Sequence, residues 1–568
     1  MIVNSSNLLS ETQIHPDVII VGAGPAGITC ALELAARGKS VALIESGGRN
    51  FSQSVQALGD AHSLDPKRHA PLNISTRRQV GGASVIWGGR CLPFDPIDFE
   101  DRPWIAHSSW PVPYAELQPH FTKACEYFFC GKPIFSSHEL DELPQKTIAP
   151  NLPDGDVRSS ELERWSLPTN FGKEYYNQLR TSKRITLITG LTITEICLNQ
   201  TGERVEFLHG RTIDGRDIRL RSSDYVLACG GLETTRLLLS SDRTIPGGIG
   251  NHSGLLGKFY MGHLSGRIAK IRFTCDRKQT AWGYWRDRSG VYVRPRFTFS
   301  ANVQRRNCLT NVALWLANPT IGDPSHGNGV LSFAYLALSS RFGKHFASEA
   351  IRQAAIADGH ADARWQHVLN MLRDLPSTAR FIPEFAIKRF LLWRKAPGFF
   401  QPSRTNVYLL HFHGEQVPNS ESRVSLSDVA DAVGMRQLDI NLQFTEQDVD
   451  SIIQTHELLD THLRAHDAGQ LAYLSDNLRE HVWAQATDGF HQAGTTRMSV
   501  RPEDGVVDEN CRIHGVDNLH IASSSVFVTS GQANSTFMIV VFALRLVDQL
   551  VAVKRTAVLT PSAFTADK

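Results

Sequence analysis

DVIIVGAGPAGITCALELAARGKSVALIE, residues 17–45, decides the fold. The apolar run Val18 to Val21 reads as a strand buried on both faces, as in a parallel sheet. It enters Gly22-Ala23-Gly24-Pro25-Ala26-Gly27, a G-x-G-x-x-G, and Ala26 to Arg37 then carries apolar residues at helical spacing until Gly38. Val41 to Ile44 is a second strand, with Glu45 at its end. In such a unit Gly22 allows the tight turn, Gly24 lets the backbone approach a pyrophosphate, and Gly27 lets helix and strand pack closely. The helix N-terminus, at Pro25 and Ala26, offers free N–H groups and a positive dipole end to phosphates. Glu45 can accept hydrogen bonds from both ribose hydroxyls, and its charge repels a 2′-phosphate. Strand, helix, second strand and acid each fall where dinucleotide binding needs them.

Working outward, 568 residues at 42% hydrophobic composition suffice for one or two sizeable cores. A net charge of +2 without a basic stripe argues against a nucleic-acid partner. The nine cysteines are scattered, with no C-x-x-C and no close pairs of a zinc site. No metal centre is therefore expected, and reduced thiols fit a cytoplasmic protein. The N-terminus lacks the basic start and apolar core of a signal peptide. The longest late apolar run, Phe537 to Leu544, falls far short of the ~20 residues that span a bilayer.

Further glycine-rich junctions follow. Val80-Gly81-Gly82-Ala83-Ser84-Val85-Ile86-Trp87-Gly88-Gly89 is loop chemistry that lets backbone lie against something flat or anionic. Ile185 to Leu198 and Asp214 to Leu220 read as a strand meander around Thr201-Gly202. Tyr225 to Ala228 is a short buried strand entering Cys229-Gly230-Gly231 and a helix, a second strand–glycine–helix junction that a split flavin-binding domain needs. From about 265 to 476 the pattern changes to an inserted domain. There Val291 to Phe299 and Val330 to Leu338 read as strands, and Ser348 to Leu375 as one or two amphipathic helices. Phe381 to Phe400, FIPEFAIKRFLLWRKAPGFF, mixes aromatics with four basic residues. It reads as a lid or partly buried helix, or as a weak contact with a membrane or partner. The last chemical stretch is Phe490-His491-Gln492-Ala493-Gly494-Thr495-Thr496-Arg497-Met498, followed by Asn518 to Ser523 and Gly531 to Thr536.

Taken together, GAGPAG with Glu45, VGGASVIWGG, ACGGLETTRLLL, HQAGTTRM, GVVD and NLHIASSSVFVTSGQANST resemble the glucose–methanol–choline (GMC) family of flavin oxidoreductases, in the family's order. Between 265 and 480 the match is looser, but HGEQVP (413–418) and SRVSL (422–426) look like the branch acting on sugars and bulky alcohols. The resemblance implies an α/β protein. A Rossmann-like FAD-binding domain (1–264 and 477–568) would carry an inserted α+β substrate domain (265–476) on a mainly antiparallel sheet. It places FAD on the N-terminal glycines and Glu45, with Ile193 meeting adenine through backbone. Gly81, Gly82, Ala83 and Ser84 would lie along ribityl and ring, Gly230 at the second glycine junction, and Ala522 and Ser523 over the pyrophosphate. Some members tether FAD through a His or Cys near Ile86. An isoleucine there excludes that link, so FAD is expected to be non-covalent. Ser535 stands where the family usually has proline.

The same resemblance makes His491 the active-site histidine and Asn534 its partner. Alcohol oxidation needs a base for the hydroxyl proton and an acceptor, flavin N5, for hydride; a neutral imidazole suits the first task. Asn534 precedes a helix and could also cap it. The N-terminus of that helix, at Ser535 and Thr536, would point to the flavin pyrimidine. The expected activity is FAD-dependent oxidation of an alcohol to a carbonyl, on a sugar, glycoside or similar natural product. Dehydrogenase is favoured over oxidase, and the acceptor could be oxygen, a quinone or a redox protein. Two alternatives stand beside it: a FAD-containing lyase using the same histidine as acid and base, and a subunit dependent on an electron-transfer partner.

Overall fold

The computed structural model describes residues 1–7, 15–143, 145–166, 169–343, 352, 356 and 363–558. Val18–Val21 is buried at all four positions and lies inside a six-stranded parallel sheet. The strand order is Ile2–Asn4, Ile185–Thr189, Val41–Glu45, Val18–Val21, Asp224–Leu227, Leu519–Ile521. The chain winds one way from Val18–Val21 to Val41–Glu45 and the other way to Asp224–Leu227. That reversal leaves a crevice at the strands' C-terminal ends. Helix Pro25–Ala36 follows the first strand and packs against the long C-terminal helix Ser535–Val558.

Two glycines of the motif are demanded by packing. Gly22 has φ +104°, and a Cβ there would stand 2.4 Å from the Ala228 carbonyl oxygen. A Cβ on Gly27 would stand 1.9 Å from the Gly22 oxygen. At Gly24 the nearest atom would be 4.0 Å away, so that position is open toward the crevice.

A second, eight-stranded sheet is antiparallel. Its main order is Gly469–Tyr473, His263–Phe273, Val407–Glu415, Val312–Ala317, Tyr292–Phe299, Val157–Trp165, Arg90–Cys91, with Trp285–Arg286 beside Tyr292–Phe299. Boundaries at 265 and 476 therefore cut across this sheet. Val157–Trp165 and Arg90–Cys91 precede residue 265 yet pair within it, because strand partners are chosen by register rather than by nearness in sequence. The meander is also redrawn. Ile185–Thr189 joins the parallel sheet, and the antiparallel trio is Thr192–Leu198, Val205–Arg211 and Asp217–Leu220.

Gly329–Ser339 is a helix where an apolar run suggested a strand. The Asn328 side chain caps it by accepting from Leu331 N–H at 3.0 Å, and the helix packs on Arg364–Arg373. A short apolar run carries either period, so cap and partner decide. Of the amphipathic stretch 348–375, Arg364–Arg373 is helical; residues 348–362, apart from 352 and 356, lie outside the described residues. The late apolar segment is longer than its uncharged run suggests. Ser535–Ala552 is long and apolar enough to cross a membrane by length and composition, but 67% of that window is buried within the protein. Arg545, which ends the uncharged run, is held inside by Glu116 at 3.0 Å.

Gly27→Ala is expected to abolish soluble expression or lower the melting temperature sharply, because its Cβ meets a backbone oxygen that cannot move. A melting curve like wild type would overturn this reading.

Candidate active site

A cleft opens at the C-terminal ends of the central parallel strands. Gly22, Gly24, Pro25, Ala26, Glu45, Gly82, Ala83, Ser84, Ile193, Gly230, Ala522, Ser523, Ser535 and Thr536 all line it, together with His491. Two residues expected to touch a cofactor stand off the lining and act from behind. Gly27 supports the helix, and Gly81 (φ +103°) packs its Cα side against Gly172, where a Cβ would come within 2.7 Å of the amide nitrogen. Gly82 lies directly over Gly24, with room for a Cβ only 2.9 Å from the Gly24 Cα.

Glu45 is buried, and each of its oxygens already accepts one backbone N–H: Ala23 to Oε2 and Gly47 to Oε1, both at 2.9 Å. Burial pushes its pKa up, and those two amides and Arg78 pull it back. Oε1 also accepts from Ser46 Oγ at 3.3 Å, so Oε2 is the oxygen that keeps a second lone pair for a ribose hydroxyl. Its bond to Ala23 also fixes the glycine loop, a role not read from sequence. Arg78 closes one wall by pairing with Glu233. Around the inner end several buried polar atoms lack a hydrogen-bond partner: Ser535 Oγ, Gln492 Nε2, Asn534 Oδ1 and His491 Nδ1. An open glycine, a half-satisfied acid and orphaned polar atoms along one cleft fit the dinucleotide that the sequence implies.

His491 and Asn534 meet at this inner end. Asn534 Nδ2 donates to His491 Nε2 at 2.8 Å. Because Asn534 Oδ1 has no partner, the residue does not cap the helix after it; the capping alternative is not realised. His491 is aimed by two successive left-handed residues, Gly489 (φ +59°) and Phe490 (φ +61°). A Cβ at Gly489 would lie 2.9 Å from the His263 carbonyl oxygen. Phenylalanine in that conformation costs roughly 1–2 kcal/mol. The strain is anchored by Asp488, whose carboxylate accepts Ala70 N–H at 3.3 Å and whose backbone oxygen accepts His491 N–H at 3.2 Å. Beyond the histidine, Gly494, Thr496 and Met498 donate to the carbonyls of Ser524, Ser525 and Val526.

Two further histidines, distant in sequence, complete the site. His263 is stacked on His413 with centroids 4.3 Å apart, and both rings stand edge-on to His491, at 4.6 and 5.5 Å. His413 Nδ1 donates to the Gln532 carbonyl at 2.8 Å, and His263 Nε2 to the Ser530 carbonyl at 3.2 Å. HGEQVP had singled out the segment of His413 without giving it a task; nothing near His263 signals one. One nitrogen from each of the three rings lies within 4.8 Å of the others, close enough to hold a metal ion, a grouping their sequence spacing hides. Two of the rings, however, spend a nitrogen as donor to a backbone carbonyl. Past them, Trp315 lies 6.2 Å from His413, and the guanidiniums of Arg90 and Arg294 cover it at 4.5 and 4.8 Å. Glu163 pairs with both arginines at 2.7 Å.

Burial, then the charge of Arg90, lowers the His491 pKa to about 4. Burial and neighbouring positive groups also hold His263 and His413 well below the ordinary value, and bring His411 to about 3. All four rings are neutral in ordinary buffers.

Residues 418–543 match the GMC oxidoreductase family model, and residues 17–73 match an FAD binding domain. The chain is 22% identical to 2-methyl-1,2-propanediol dehydrogenase of Mycolicibacterium austroafricanum, over 94% of this chain and 95% of that protein. It is 24% identical to paromamine 6'-oxidase of Streptomyces fradiae, over 93% and 90%. It is 21% identical to the fructose dehydrogenase large subunit of Gluconobacter japonicus, over 95% and 99%. Among solved structures, pyridoxine 4-oxidase from Mesorbium loti shares the fold with TM-score 0.53 at 16% identity, covering 94% of this chain and 98% of that one.

Two outcomes are expected. Gly24→Val should yield folded protein that has lost its flavin absorbance, since the side chain points into the open cleft rather than into packed backbone. Stability should also fall as pH drops. A buried histidine with a folded pKa near 4 and an unfolded value near 6.5 stabilises fully above 6.5 and loses that contribution as pH falls toward 4. His456 and His520 share this shift. A melting temperature that stays flat from pH 6.5 to 4 would contradict it.

Proposed function

We propose that this chain, a GMC-type FAD-dependent alcohol oxidoreductase, oxidises its alcohol with His491 as the base and Asn534 as the group that holds the substrate oxygen. The observation that carries this reading is the 2.8 Å contact between Asn534 Nδ2 and His491 Nε2 at the inner end of the cofactor cleft. A hydroxyl entering between them replaces that bond with two: it accepts from Asn534 Nδ2 and donates to His491 Nε2. Nε2 is available because the ring is neutral above pH about 4. FAD, when bound, supplies the two-electron acceptor. Gly24 and Gly82 would leave room for its pyrophosphate, Glu45 would receive its ribose, and the N–H groups at Ser535 and Thr536 would offer a positive dipole end to its negatively charged side. His263 and His413 touch neither reactant in this scheme. They hold the loop that carries Asn534 and fill the space beside His491, excluding water.

The substrate class inferred is a polyol or sugar-like alcohol. Three relatives are named for 2-methyl-1,2-propanediol, paromamine and fructose. The wall beyond His413 supports the same class, offering the unpartnered Nε groups of Arg90 and Arg294. Fixed donors suit a molecule bearing several hydroxyls. Oxygen is not the acceptor in this reading, which follows the two relatives named dehydrogenases.

His491→Ala should keep FAD and fold but slow anaerobic flavin reduction by about 10²- to 10⁴-fold. Asn534→Ala should cost less, since it carries no proton, and should leave the melting temperature nearly unchanged because its side chain does not cap the helix. The acid limb of the reduction rate should lie near pH 4. Arg90→Met, which removes the second cause of the shift, should move that limb upward. Wild-type rates in His491→Ala would end this mechanism, and peroxide formed in step with dye reduction would end the dehydrogenase reading. FAD should be released intact by acid precipitation, as expected with Ile86 at the family's tethering position; flavin that stays with the pellet would refute non-covalent binding.

A further inference from the structure

Nine of the nineteen large apolar side chains exposed among the described residues fall between 365 and 393. Seven of them sit on two helices that pack against one another, Arg364–Arg373 and Leu375–Ala386, and on the π-helical turn Ile387–Leu391 that continues the second; Leu392 and Trp393 follow it directly. Trp365 and Leu372 are seven residues apart, two turns along one face of the first helix. Ile387, Phe390 and Leu391 repeat at three- and four-residue spacing, and Trp393 follows. Leu391 is 77% exposed, Trp365 66% and Trp393 61%. Single exposed apolar residues are ordinary, but a cluster with two tryptophans marks a binding surface.

Charge indicates what binds there. Between 364 and 395 stand seven basic residues (Arg364, Arg373, Arg380, Lys388, Arg389, Arg394, Lys395) against two acidic ones, Asp374 and Glu384. The whole chain is only +2, and this stretch carries seven minus two, or +5, so the rest of the chain sums to −3. Tryptophan and leucine at the tip, with lysine and arginine alternating between them, is the composition of a helix that lies in a lipid interface over anionic headgroups. A protein partner of the usual kind meets a patch whose core is poor in charge; here Lys388 and Arg389 sit within the apolar run itself. The turn is also braced rather than dangling. Arg394 donates to the Phe129 carbonyl at 2.7 Å, Trp393 stands edge-on to Phe129, and Arg389 donates to the Ala396 carbonyl at 2.8 Å. Phe381 and Phe385 pack on Phe399 beneath it.

We propose that the surface formed by helix Arg364–Arg373 and the segment 375–395 docks the enzyme on an anionic lipid bilayer, with Leu391 and Trp393 entering the interface and the flanking basic residues on the headgroups. This inference rests on the surface alone and stands or falls separately from the role of His491. The test is flotation of the FAD-loaded full chain with vesicles of phosphatidylcholine containing about 30% phosphatidylglycerol, and with phosphatidylcholine alone. The expected result is at least about tenfold more protein floating with the anionic vesicles, and its release by salt near 1 M, where the Debye length is about 3 Å. Leu391→Glu and Trp393→Glu should each abolish flotation while leaving flavin absorbance and dye-linked activity unchanged. Leu391 keeps the test valid should Trp393→Glu disturb Phe129. Lys388→Ala with Lys395→Ala should remove the preference for anionic lipid. Wild-type protein that does not float overturns the proposal. So does undiminished flotation of Leu391→Glu. If the wild type instead forms a concentration-dependent dimer that Leu391→Glu dissociates, the surface joins copies of this chain and the proposal is wrong.

Discussion

The hydrogen bond from His413 Nδ1 to the Gln532 carbonyl, 2.8 Å long, is the constraint on which the site depends. It belongs to a set by which the antiparallel sheet grips the loop Ser530 to Asn534. His263 holds the Ser530 carbonyl, Gln416 N–H donates to Ser530 Oγ at 3.1 Å, and Arg296 holds the Gln532 side chain. Asn534 stands at the end of this clamp and His491 on a loop bonded to Ser524, Ser525 and Val526. The pair thus meets only because the two sheets are docked. A shift of one sheet by an ångström would separate the groups that have to share one substrate oxygen.

The clamp is backed by buried charge. Arg102, fully buried, makes a bidentate pair with Glu415 at 2.6 and 2.7 Å, and Asp98 lies 3.7 Å away. Asn311 donates to Asp98 and Asp95, and Gln532 donates to Asp95 at 2.9 Å, which ties the network back to the Asn534 loop. Burial and the Glu415 charge raise the Asp98 pKa well above the carboxylate range. Such a network contributes little net stability compared with well-packed apolar groups, but removing one partner strands a buried charge at a cost of about 3–5 kcal/mol. Its use here is positional, since it fixes one loop against one sheet.

The cofactor cleft divides its labour differently. Gly22 and Gly27 are glycines because protein backbone occupies the space of a Cβ, whereas Gly24 is one because the cleft must stay open. A single motif thus mixes folding and binding requirements. Glu45 does both at once, bonding Ala23 and Gly47 while keeping acceptor capacity for a sugar hydroxyl.

The sequence by itself determined whatever local chemistry can enforce. GAGPAG with Glu45 specified strand, turn, helix and acid within 29 residues, and the glycine junctions and HQAGTTRM stretch marked the cleft and His491. It misread Val330 to Leu338, where a cap and a partner helix chose between two allowed periods. It drew domain limits at 265 and 476 that strands 90–91 and 157–165 ignore. It carried no sign of His263 and set no task for His413, and it did not show that Asn534 would forgo its cap to bond His491. These were decided by the tertiary structure, because they depend on which strands pair and in what register. Pairing brings residues 263, 413 and 491 into one cluster, and no local pattern in a chain encodes a distance between segments 150 and 78 residues apart without the sheet that joins them.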